Sequence, residues 1–171
     1  MELNIELNEF HSRKIEFIRN YDFSLVEKYA GKALGGVTAT YLKQGIDVLK
    51  QFYILNLLDP LNKHVICAPL DSFWDSHVLL TKDYMNFCEK AFGFYLEHDP
   101  IDSMFESEQM DMYKSTVSKL SKIFKDVDLT WWPVNERKCC GGGGIVPIWD
   151  STDSHGFALF SEEVSQTVEA A

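Results

Sequence analysis

The sequence predicts an all-α protein, in which a compact bundle of four to five helices precedes a Gly-rich, partly irregular C-terminal tail. Apolar residues recur at spacings of three and four through most of residues 1–125, which is the helical period, and no strong alternation with a period of two interrupts them. Aromatic residues make up 13% of the 171 residues and supply ample core material. Four consecutive glycines at 141–144 then mark low-complexity sequence. We therefore expect a helical domain over residues 1–133 and a tail over residues 134–171.

The first half of the helical domain contains two long periodic segments. Residues 9–31 are helical in pattern, with an interruption at 20–22, and Gly31 is a plausible end because glycine favours the position after a helix. The second segment runs from about residue 38 to residue 58. The Asp59-Pro60 pair ends it, since the residue before a proline disfavours the helical conformation.

The second half begins with a connector at 60–70, of which residues 64–67 form a short extended piece. Asp71 or Ser72 can cap the following helix. Two further amphipathic helices are predicted, over residues 81–97 and over residues 107–124. In the tail, residues 145–160 can pair as a weak hairpin, and residues 161–171 form a short helix or a frayed end.

Charge and composition restrict the function classes. The 16 basic and 26 acidic residues give a formal net charge of -10, which repels phosphate and argues against nucleic acid as the main partner. The same charge attracts a basic protein. No continuous apolar run suits a membrane span or a secretory signal, so we expect no membrane partner and a cytoplasmic location. The four cysteines are then expected as reduced thiols.

A candidate metal site is formed by Asp71, His77, Cys88 and His98, with further carboxylates such as Asp75 nearby. Histidine and cysteine suit zinc or iron. In one continuous helix His77 and Cys88 would lie about 16 Å apart, so a shared ion requires the chain to fold back between them. The alternative is that Cys88 is a small core residue and that the histidines bond backbone groups or Asp71.

The same residues allow a thiol-dependent enzyme. Asp71 and His77 share a helix face and could form a general-base pair for Cys88. Neither Cys67 nor Cys88 lies in a cysteine-protease signature, so a structural polar cluster is the simpler interpretation. Enzymatic activity is left open, and a non-enzymatic role is favoured.

The leading hypothesis is a non-enzymatic protein-interaction module, of which an inhibitor or immunity-type protein against a basic target is one example. Two groups of residues are candidates for binding the partner. The aromatic group consists of Trp131, Trp132 and Trp149, and the acidic group consists of Asp99, Asp102, Glu106 and Glu108. Tryptophan is enriched in interface hot spots, although such residues also close cores. The acidic residues suit a basic partner or a solvated loop.

The vicinal pair Cys139 and Cys140 stands directly before the glycines and has three interpretations. It belongs to a plain linker, or it is a thiol pair that binds metal or forms mixed disulfides, or it is a site of modification.

Residues 45–133 resemble the glycine-rich domain-containing protein-like family of plants and bacteria. The matching positions are Asp71, Trp74, His77, Thr81, Tyr84, Cys88, Phe92, Gly93, Leu96, His98, Pro100, Tyr113, Thr116, Phe124, Trp132 and Pro133. Asp75 and Glu97 stand where that family has histidines. The resemblance implies no established enzymatic reaction. It implies general links to stress responses and development, and some members are described as RNA-binding candidates, which a net charge of -10 does not favour.

Overall fold

A computed structural model describes residues 1–99, 106–133 and 139–145. Six helices lie in these residues: α1 (Glu9–Asn20), α2 (Ser24–Leu34), α3 (Ala39–Leu58), α4 (Ala68–Leu79), α5 (Thr81–Ala91) and α6 (Glu106–Ile123). The same residues contain three short strands: β1 (His64–Cys67), β2 (Leu96–Asp99) and β3 (Cys139–Ile145). The mostly helical fold class is confirmed. The described residues contain six helices, one more than the largest number predicted, which was five.

The helix ends in the first half follow local capping chemistry. The predicted interruption at 20–22 separates α1 from α2, and the Thr38 hydroxyl accepts a hydrogen bond from the Tyr41 backbone N–H at 3.1 Å where α3 begins. Helix α2 continues past Gly31 and ends at Gly35, whose φ of 58° lies in the left-handed region. The prediction that Gly31 ends this helix is therefore wrong.

The helix predicted over residues 81–97 is shorter than expected. Helix α5 ends at Ala91, and Gly93 takes a φ of 85°, a conformation that glycine adopts without steric cost. The chain then turns and enters β2. This correction matters for the candidate sites because it places His98 on a strand.

The glycine run forms a strand and not a plain linker. The three strands form an antiparallel sheet in the order β1-β3-β2, with β3 in the centre. Gly143 lies opposite His64 of β1 on one side and opposite His98 of β2 on the other. The extended piece predicted at 64–67 is confirmed as β1, and residues 139–145 of the predicted tail pair with it.

The hydrophobic core is centred on α3. All residues from Gln51 to Leu58 are buried, as is typical of a helix surrounded on all sides. Helix α3 contacts α1, α2, α4 and α6, and the largest fully buried side chains around it are those of Trp74 and Trp132.

Gly45 allows α4 to approach α3 closely. A Cβ atom at this position would lie 2.2 Å from Cζ of Phe73, which belongs to α4. The missing side chain therefore sets the depth at which α4 packs on the core.

The hairpin predicted over residues 145–160 and the helix predicted over residues 161–171 fall outside the described residues, apart from Ile145 at the end of β3. Within the described part of the chain, none of the helices combines the length and the apolar character that crossing a bilayer demands.

Candidate metal centre

Two carboxylates and one imidazole meet at the junction of α4 and β2. Nε2 of His98 lies 3.2 Å from Oδ1 of Asp71 and 3.2 Å from Oδ1 of Asp75. One donor atom from each of the three residues lies within 4.8 Å of the other two. We call these three residues the Asp-Asp-His cluster.

Local structure explains why the three side chains meet. Asp71 and Asp75 are four residues apart in α4, so one helix face carries both carboxylates. Trp74 Nε1 donates to the Tyr84 hydroxyl at 3.0 Å, and that hydroxyl donates to the Leu96 carbonyl at 2.6 Å. This chain of hydrogen bonds ties β2 to α4 and α5. The His98 ring packs edge-on against Trp74, with 4.4 Å between the ring centroids.

The cluster has an excess of negative charge. Among the described residues, the ion pairs of Asp71 and Asp75 are formed with His98, and no lysine or arginine joins them. The hydrogen bond that His98 donates to Asp71 raises the pKa of His98, and the charges of both carboxylates add to this shift, while burial opposes it. Burial and the neighbouring Asp71 raise the pKa of Asp75. Both shifts mean that these groups keep a proton up to a higher pH than they would in water.

The donor set and spacing fit a small divalent cation. Ligand atoms bound to zinc at about 2.0–2.2 Å in tetrahedral geometry lie about 3.3–3.6 Å from one another, close to the 3.2 Å found here. The Asp75 side chain is 54% exposed, whereas those of Asp71 and His98 are 18% and 17% exposed. The cluster is therefore open to solvent on the Asp75 side and enclosed on the other.

His77, which the sequence analysis placed with this set, lies in a separate buried network. Its Nδ1 is 2.8 Å from the Tyr53 hydroxyl, and its Nε2 is 3.3 Å from Oδ2 of Asp83. Tyr21 donates to the other Asp83 oxygen at 2.8 Å. Burial lowers the pKa of His77, although Asp83 opposes the shift. These contacts fit a neutral histidine that joins α3, α4 and α5.

Cys88 also lies apart from the cluster. Its side chain is buried, although it borders a cavity of about 290 Å³ together with Met85 and Tyr95. Burial raises the pKa of the Cys88 thiol to about 11, so the reactive thiolate is scarce at neutral pH. His77 makes its polar contacts with Tyr53 and Asp83, so the observations do not support a Cys88–His77 thiol enzyme.

Of the seven predicted partner-binding residues, three have side chains that the structure describes. Trp131 and Trp132 are buried in the core, where Trp131 packs on Tyr41 at 4.6 Å between ring centroids. Glu108 is exposed on α6. The remaining candidates have side chains outside the described part: Asp99, Asp102, Glu106 and Trp149. Cys139 and Cys140 are the first two residues of β3.

Fold and cluster together define a small helical protein with a solvent-accessible Asp-Asp-His cluster between a helix and a strand. A protein-family model described as UCP032817-like matches residues 13–119, which include all three cluster residues. The chain therefore belongs to the UCP032817-like family. Searches of the curated proteins and of the solved structures gave no match.

This family assignment corrects the resemblance drawn from the sequence. The order of motifs over residues 45–133 suggested the glycine-rich domain-containing protein-like family, and the match to a different family model shows that this was wrong. The motifs it used include Trp74, Tyr84 and Leu96, which the structure joins by hydrogen bonds.

Proposed function

We propose that the protein binds one divalent transition-metal ion through Asp71, Asp75 and His98. The observation that supports this proposal is the cluster itself, where two carboxylate oxygens lie 3.2 Å from one imidazole nitrogen and no described lysine or arginine neutralises them. The proposal changes the ligand set predicted from the sequence, because His77 contacts Tyr53 and Asp83 and Cys88 is buried apart from the cluster.

The chemistry of the donor atoms restricts which metal ions the cluster suits. Imidazole favours zinc and iron over calcium and magnesium, whereas carboxylates also accept manganese. Three protein ligands leave at least one coordination position for water or a small ligand, the arrangement that catalytic zinc sites keep open. Since the ligands come from α4 and β2, a bound ion also links the helical body to the sheet.

Binding of the ion competes with binding of a proton. His98 coordinates a metal only after it loses its proton, and its neighbouring carboxylates raise its pKa above the usual value. The apparent affinity should therefore increase as the pH rises through this elevated pKa. It should decrease in mildly acidic solution.

The test uses the full chain purified without an affinity tag. Elemental analysis first determines whether zinc, iron or manganese is present in stoichiometric amount. The protein is then treated with a chelator and titrated with Zn²⁺ or Mn²⁺ in a calorimeter at pH 7.5, with Ca²⁺ and Mg²⁺ as comparison ions. We expect one binding site and a loss of at least tenfold in affinity in the Asp75→Asn variant.

Asp47→Asn is the matched control, since it makes the same chemical change at an exposed position of α3. Equal affinities in Asp75→Asn and wild-type protein, with unchanged helical circular dichroism, would assign the bound ion to another site. If the intact protein binds no ion, the cluster is an ion pair between His98 and two aspartates.

A second candidate function is the protein-interaction module predicted from the sequence, located in the cytoplasm. The net charge of -10 supports it, and so do the exposed acidic side chains of Glu108 and Asp111 on α6. The partner would be a basic protein, and long-range attraction would accelerate their encounter.

This second candidate is tested with a lysine-rich peptide as a probe. The double variant Glu108→Gln/Asp111→Asn should bind the peptide more weakly than wild-type protein at low salt. The double variant Glu16→Gln/Asp47→Asn removes two exposed charges elsewhere and is the control. Equal losses in the two variants would mean that net charge, and no particular face, attracts the peptide.

A further inference from the structure

Two cysteines far apart in the sequence are paired through the backbone on neighbouring strands of the sheet. Cys67 is the last residue of β1, and Cys139 is the first residue of β3. The two strands are antiparallel, and these residues are direct Cα partners in the ladder.

The backbone geometry suits a disulfide bond. Directly opposed residues in antiparallel strands have Cα atoms about 4.5 or 5.5 Å apart. Disulfides join residues whose Cα atoms are about 4.4–6.8 Å apart. We propose that Cys67 and Cys139 form a disulfide bond when the protein meets an oxidant. The observations behind this inference are not those behind the metal-binding proposal.

A register shift selects Cys139 over its neighbour. His64 pairs with Gly143 and Val65 with Gly142, so a regular ladder would place Cys140 opposite Cys67. The ladder shifts between Val65 and Cys67, and Cys139 becomes the partner. Glycine-rich strands specify their register weakly, so a covalent bond at this position would fix the pairing.

The order of reaction follows from burial. Cys67 is 1% exposed, and its Sγ donates to the Trp131 carbonyl at 2.8 Å, so it is shielded from an oxidant in solution. In the proposed reaction Cys139 therefore reacts first and Cys67 second.

The oxidant is a small disulfide, such as oxidised glutathione. The Cys139 thiolate attacks one sulfur of the small disulfide, which forms a mixed disulfide and releases one thiolate. The Cys67 thiolate then attacks the Cys139 sulfur, breaks the mixed disulfide and releases the second thiolate. In total the two protein thiols lose two protons and two electrons, and the small disulfide is reduced to two thiols.

The experiment exposes the full-length, folded protein to oxidised glutathione and blocks the remaining thiols with an alkylating reagent. Peptide mass mapping without reduction then locates the bonds. We expect one cross-linked peptide joining Cys67 to the segment that begins at Cys139, and two of the four cysteines should remain alkylated. The cross-link should persist in Cys88→Ser and Cys140→Ser and disappear in Cys139→Ser.

Three results would overturn the inference: a bond between Cys139 and Cys140, a bond between Cys67 and Cys140, or glutathione adducts alone. The wild-type map is sufficient to distinguish a cross-link to Cys67 from these adducts, whatever the stability of the variants. Circular dichroism of Cys139→Ser provides the folding control, because this change leaves the buried Cys67 in place.

Discussion

Replacement of Gly45 by alanine tests how closely α4 packs on α3. Gly45 is buried in α3, and a Cβ atom built there would lie 2.2 Å from Cζ of Phe73, with both Cε atoms within 2.6 Å. Ordinary van der Waals contact begins at 3.4 Å, so the ring tip and the new carbon would have to separate by about 1.2 Å. Phe73 is fully buried and packs beside Trp131, so the ring has little room to move.

Two opposing effects set the magnitude. Alanine is about 1 kcal/mol more favourable than glycine in a helix interior. Overpacking of a well-packed core costs about 1–3 kcal/mol, and occasionally more. The whole end of the Phe73 ring collides, and we therefore place the packing cost at the upper end of this range. The expected net loss is about 2 kcal/mol in the free energy of unfolding.

The assay is urea unfolding of the full chain, followed by far-UV circular dichroism. A loss of about 2 kcal/mol should also lower the melting temperature by about 4–8 °C in a protein of this size. Gly31→Ala is the control, because its new Cβ would meet only the flexible end of Leu42, at 3.0 Å. It should be neutral or slightly stabilising.

The double variant Gly45→Ala/Phe73→Leu locates the cause. Removing the ring should recover part of the stability that Gly45→Ala loses, so the two changes should not be additive. If Gly45→Ala is as stable as wild-type protein, or if Phe73→Leu adds its full cost to it, α4 does not rest on Gly45 as described.

Two further predictions concern buried charge. Lys119 lies 2.5 Å from the Asp59 carboxylate, whose side chain is 5% exposed and which also has Asn62 and His64 beside it. Lys119→Met removes the lysine that pairs with this buried carboxylate and should cost about 3 kcal/mol in the free energy of unfolding, measured with urea. Lys125→Met, which removes an exposed pair with Glu2, should cost less than about 1 kcal/mol, and equal costs would contradict this reasoning. Burial lowers the pKa of His77 below its ordinary value of 6.5, so the unfolded chain takes up the proton first and stability is lost as the pH falls below that value. The free energy of unfolding, measured with urea between pH 7 and pH 5, should depend less steeply on pH in His77→Gln than in wild-type protein, by up to about 1.4 kcal/mol per pH unit. Equal slopes in the two proteins would refute a neutral buried imidazole.

Local signals were sufficient to predict most helices. Thr38 caps α3 through its own side chain, and the break at 20–22 separates two apolar patterns within one segment. These features involve residues a few positions apart, so periodicity and capping rules detect them.

The sheet was not predicted, because it forms by pairing of strands that lie far apart in the sequence. Strand β2 has four residues, and its partner β3 lies about 40 residues further along and is mostly glycine. Glycine has no side chain and so produces no alternating pattern, which is why periodicity predicts no strand at 141–144. The positive φ of Gly93, two residues after the end of α5, could not be predicted either, because glycine occurs in many conformations.

Two of the three residues of the Asp-Asp-His cluster belong to the ligand set predicted from the sequence. Asp71 and His98 were in the proposed ligand set, and Asp75 was noted only as a neighbour. Its spacing of four residues from Asp71 was the available signal, since it places both carboxylates on one helix face. His77 was misplaced because its partners, Tyr53 and Asp83, become neighbours only through the packing of α3, α4 and α5.

The central glycine strand relates the two proposed sites. Strand β3 pairs on one side with β1, which carries Cys67, and on the other with β2, which carries His98. A disulfide between Cys67 and Cys139 would fix the register of β3, and β3 in turn supports the strand from which His98 reaches the α4 carboxylates. A metal ion at Asp71, Asp75 and His98 would hold the same sheet from its opposite edge. Because two ligands that stabilise one arrangement favour each other's binding, oxidation of the thiols and occupancy by the metal should be coupled in the same direction.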